Sequence, residues 1–71
     1  MEKKILEIVS WYEKPDWNQR LIKYALSLSS AQLAIHIEAF NTEINRDKNP
    51  HDMLIVARGC FTSVLKRKLN L

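Results

Sequence analysis

The sequence predicts an all-α fold, a small three- or four-helix bundle. Three features predict it: apolar residues that recur at helical spacing, no stretch of strand-like alternation, and one glycine and two prolines as the only strong punctuation. Helices are expected at about 2–13, 17–28, 30–45 and 50–69, within a single domain spanning residues 1–71.

In the first segment Ile5, Ile8, Val9 and Tyr12 fall at i, i+3, i+4 and i+7, one stripe of an amphipathic helix. Pro15 disfavours the α region at Lys14, which stops this helix near Glu13. Asp16 is then placed to cap a second helix, whose inner face carries Trp17, Leu21, Tyr24, Ala25 and Leu28. The run Ser27-Leu28-Ser29-Ser30 marks the next break, and Ser29 with Gln32 has capping-box spacing. The third helix presents Leu33, Ile37, Phe40 and Ile44 along a narrow seam. Asn45 to Asn49 is polar throughout and reads as a connector. In Asn49-Pro50-His51-Asp52, Asn49 is expected as the cap, Pro50 at the first helical position and Asp52 in the first turn. The fourth helix buries Met53, Leu54, Ala57, Cys60, Phe61, Val64 and Leu65, and should pair with the third as an antiparallel hairpin.

Composition narrows the class further. No apolar run reaches the 18 or so residues of a membrane span, and Glu2 and Glu7 interrupt the basic start that a signal peptide would need. A lone cysteine, Cys60, forms no disulfide within the chain and fits a reducing compartment, so a cytoplasmic protein is expected. With 71 residues, 46% of them hydrophobic, the chain carries more apolar side chains than so small a core can absorb.

Little in the sequence points to catalysis. His36 sits to one side of the third helix's seam and His51 in a first turn, without the cysteine or carboxylate spacing of a metal site. Cys60 lies within an apolar face, where cysteine acts as a small hydrophobe. There is no glycine-rich phosphate loop. No enzyme activity, metal or cofactor is therefore expected.

Two binding functions are expected in its place. Leu33-Ala34, Ile37, Ala39 and Ile44-Asn45-Arg46 resemble the apolar spacing of a helix-turn-helix, which implies a small DNA-binding transcriptional regulator. Glu38 stands where that motif has its turn glycine, and Phe40 at the polar start of its recognition helix. Residues 53–71 add four cations, Arg58, Lys66, Arg67 and Lys68, and no acid, whereas residues 1–52 carry seven basic and eight acidic side chains. Arg46 and these four are the candidate nucleic-acid contacts, although Lys66, Arg67 and Lys68 point in three directions and also complement a helix C-terminus.

The leading expectation is a protein-interaction module. Once one core face per helix is assigned, Ile22, Leu26, Ile35 and Ile55 are left over, and Trp11 lies off the main face of the first helix. Gly59 and Ser63, four residues apart beside Ile55, would let another helix approach closely. Docking of this secondary face onto another protein, or onto itself as a symmetric homodimer, is the expected function. Small regulators, inhibitors and adaptors, including phage- and plasmid-type accessory proteins, are built this way, by analogy of fold alone.

Overall fold

The computed structural model describes residues 2–70 and contains four α-helices: α1 (Lys3–Ser10), α2 (Trp17–Ser27), α3 (Ser30–Arg46) and α4 (Asp52–Lys68), with a 3₁₀ turn at Trp11–Glu13 between the first two. Among the described residues there is no strand. The longest helices, α3 and α4, pack along each other as the expected hairpin, and α4 also meets α2 and α1. It is therefore the central element, with core contacts to every other helix.

Each break in the chain has a local cause. The first helix winds into the 3₁₀ turn, and Lys14, immediately before Pro15, is extended at φ −85°, ψ 142°. The α register that would carry Tyr12 onto the face of Ile5 and Ile8 thus ends before reaching it. Tyr12 stays outside the core and 37% exposed, while Trp11, expected off the main face, packs against the core. Asp16 does occupy the cap position of α2 but makes no side-chain cap, because its backbone is not extended (φ −100°, ψ 19°). Its carboxylate faces Arg20 at 3.5 Å instead.

The capping box of α3 forms as its spacing predicts. The Gln32 amide donates to Ser29 Oγ at 3.2 Å, and the Ser29 amide donates to Gln32 Oε1 at 2.9 Å. Helix α4 begins two residues later than expected, and its cap is His51, not Asn49. The Met53 amide donates to His51 Nδ1 at 3.0 Å. Asn49 is engaged earlier, its amide donating to Asp47 Oδ1 at 3.1 Å, which folds the connector into a short turn before the helix starts. At the other end Asn70 adopts φ 59°, a left-handed conformation that asparagine tolerates, and its amide donates to the Arg67 carbonyl.

The core holds Ile5, Ile8, Leu21, Ala25, Leu28, Leu33, Phe40, Met53, Leu54, Ala57, Phe61 and Val64. Through it runs a string of aromatic rings. Trp11 meets Tyr24 edge-on at 5.7 Å; Tyr24 lies 5.6 Å from His36 and 6.1 Å from Phe61; Phe61 meets Phe40 edge-on at 5.1 Å. Such pairs add about 0.5–1.5 kcal/mol each beyond the area they bury. Lys4 of α1 stands over the Tyr24 ring at 5.2 Å, so residues of all four helices converge on one side chain.

Two measurements check these assignments. His51→Ala should lower stability by about 1 kcal/mol through loss of the cap, whereas Asn49→Ala, whose side chain makes no cap, should leave the thermal midpoint nearly unchanged. Phe61→Ala should cost about 3–5 kcal/mol, comparable to all that a core of this size supplies, and thermal or urea unfolding would reveal a broadened or absent transition.

Candidate docking surface

Polar chemistry within the fold is used to build it. The Nδ1 of His36 is 2.8 Å from the Gln32 carbonyl, which can only accept, so this nitrogen carries the proton. In the neutral ring Nε2 then accepts from the Tyr24 hydroxyl at 3.0 Å, tying α2 to α3. The capping bond at His51 requires the opposite tautomer, with Nδ1 bare and the proton on Nε2. That ring also stands edge-on to Tyr12 at 5.4 Å, and Tyr12 in turn packs on Trp17 at 5.1 Å. Among the described residues no group of three His, Cys, Asp or Glu side chains is placed to hold a metal ion. Cys60 is half-buried beside the core, and burial raises its thiol pKa above the ordinary value. Lys4 is held above its usual range by its hydrogen bond to Glu7, 2.7 Å away, with the Glu7 charge adding to the effect.

An open cleft of about 400 Å³ lies at the α3–α4 corner, lined by Glu43, Arg46, Asp47, Asn49, His51 and Leu54. Arg46 points its guanidinium at Glu43, 3.4 Å away, and His51 is committed to the cap. The cleft thus gathers charges that already answer one another or serve the backbone.

The candidate nucleic-acid residues are not brought together. Residues 33–46 belong to one continuous helix, so the turn that a helix-turn-helix needs at Glu38 is absent and Phe40 is fully buried. Arg58 faces inward, donating from Nη1 to Asn41 Oδ1 at 2.9 Å across the hairpin. Lys66, Arg67 and Lys68 all lie in the last turn of α4, where cations complement the exposed carbonyls.

The leftover apolar residues stand outside the core on their separate helices. Ile22 is 41% exposed, Leu26 55%, Ile35 64% and Ile55 44%. Ile22 and Leu26 lie one turn apart on α2. Ile35 looks away from the buried Leu33–Phe40 face of α3. On α4 the exposed strip consists of Ile55, Val56, Gly59 and Ser63. A Cβ added at Gly59 would meet no atom within 4 Å, so this backbone lies open to an approaching surface. Sequence reasoning missed Val56, 38% exposed, and the half-exposed Leu6 and Leu69. Helical spacing carried the signal for Val56, which falls beside Gly59 and Ser63 and outside the arc of Met53, Ala57 and Val64.

Comparison with known proteins finds no match: no family model, no curated protein and no solved structure corresponds to this chain. No helix among the described residues is long and apolar enough to cross a membrane.

The raised thiol pKa has a measurable consequence. Because the thiolate is the reacting form, alkylation of Cys60 should be slower in native buffer near pH 8 than in denaturant. The native rate should keep climbing at pH values where the unfolded thiol has levelled off. Equal rates in the two states would place Cys60 in open solvent.

Proposed function

We propose that this chain is a small cytoplasmic helical module, a regulator, inhibitor or adaptor, that acts by docking an apolar helical face onto protein. One observation carries the reading: α2, α3 and α4 each present large aliphatic side chains to water on the side away from the core. Leaving such a side chain in water forgoes roughly 1.5–3 kcal/mol relative to full burial. Scattered apolar surface is ordinary in itself. Here it comes with an α4 strip that carries no charge between Asp52 and Lys66, since Arg58, the one ion in that stretch, is turned to Asn41. The dispersal of the cations and the unbroken α3 leave a nucleic-acid surface with less support.

Lysine substitutions made singly at Ile22, Leu26, Ile35 and Ile55 test the reading. At exposed positions each should change stability by no more than about 0.5 kcal/mol, so helicity is kept. At least one, with Ile55→Lys foremost, should abolish a protein association that the wild type shows by pull-down from its host or by sedimentation. The reading falls if all four leave every protein association unchanged. It falls too if the chain binds duplex DNA with a steep salt dependence that Ile55→Lys does not alter.

A further inference from the structure

The occupant of the α4 face follows from how its charges are arranged. Asp52 and Lys66 stand seven residues before and after Gly59, close to two full turns in each direction, so all three project to nearly the same side of the helix. Ile55 and Val56 flank Gly59 on one side along the strip, Thr62 and Ser63 on the other. The strip therefore has an acid at one end, a base at the other, and uncharged residues grouped around a glycine at its centre. Among the described residues neither Asp52 nor Lys66 is in an ion pair. Asp52 is the only acid of α4.

We propose that this face of α4 pairs with the same face of a second copy, antiparallel, about a two-fold axis passing through Gly59. The proposal rests on the docking function above and names its partner. Under that symmetry residues equidistant from Gly59 oppose each other, so Asp52 of each copy meets Lys66 of the other, twice over. Ile55 of each copy packs beside Ser63 and Thr62 of the other, and Val56 beside Ser63. The missing side chain at Gly59, with open space above it, permits close approach where the axes cross. Thr62 already donates its hydroxyl to the Arg58 carbonyl at 2.7 Å, so covering it strands no donor. Antiparallel packing also sets opposite helix dipoles side by side. A parallel pairing in register would place Asp52 against Asp52 and Lys66 against Lys66. The face runs about 21 Å from Asp52 to Lys66 at 1.5 Å per residue, which fits a small interface and a reversible dimer.

Sedimentation equilibrium on the intact chain tests this with charge-exchanged variants. The wild type should dimerise reversibly in the micromolar range. Asp52→Lys alone, and Lys66→Asp alone, should each weaken self-association by about tenfold or more, since like charges then oppose at both ends. An equimolar mixture of the two should regain wild-type association, because every Lys then meets an Asp. Loss of folding in either variant could not produce that recovery. Gly59→Gln, which has room in the monomer and a better helix propensity, should abolish dimerisation without lowering the thermal midpoint.

A wild type that stays monomeric at high micromolar concentration overturns the proposal, as does a mixture no tighter than its components. If that monomer still holds a different protein in a manner abolished by Ile55→Lys, docking stands and only the second copy falls. If none of the lysine substitutions at Ile22, Leu26, Ile35 and Ile55 alters any protein association, both fall.

Discussion

The Tyr24 side chain is where the four helices are held to one another. Its ring takes the edge of Trp11 from the 3₁₀ turn, lies against Phe61 of α4 and has the Lys4 ammonium of α1 over one face. Its hydroxyl donates to His36 of α3. An aliphatic residue at this position would fill space but could not satisfy the imidazole nitrogen. That nitrogen is directed at α2 because Nδ1 is fixed by the Gln32 carbonyl. The docking of α2 on α3 therefore depends on a directional bond, while the α3–α4 hairpin depends on packing of Phe40 against Phe61 and on the Arg58–Asn41 bond.

That arrangement governs what remains available at the surface. Each histidine has its Nδ1 bonded to the backbone, that of His36 to the Gln32 carbonyl and that of His51 to the Met53 amide. Arg58, the cation nearest the middle of α4, is likewise occupied. The hydrogen-bonding needs of the helix ends and of the α2–α3 and α3–α4 contacts thus take up His36, His51 and Arg58. The aliphatic side chains left exposed on the three longer helices are Ile22 and Leu26 on α2, Ile35 on α3, and Ile55 and Val56 in the strip around Gly59 on α4. The central helix thus has one side that assembles the fold and another whose charges are confined to its ends.

Much of this was legible in the sequence because it depends on neighbours along the chain. Apolar spacing placed four helices. Pro15 placed the first break, and Ser29 with Gln32 placed the start of α3, since a capping box closes within a single turn. The exposure of Ile22, Leu26, Ile35 and Ile55 was also readable, because 3.6 residues per turn put them off each core face. Tertiary structure decided the rest. Asn49 was the expected cap, but the Asp47 turn engages its amide, and His51, with Tyr12 packed against its imidazole from the 3₁₀ turn, caps the helix in its place. Trp11 and Tyr12 exchanged roles because the helix tightened before Pro15. Arg58 belonged by composition to a basic tail, and only the antiparallel hairpin brought it to Asn41. Local rules of spacing and capping fix which residues form helices and which face is apolar. Which side chain closes a gap between helices depends on atoms distant in sequence, and no local pattern records that.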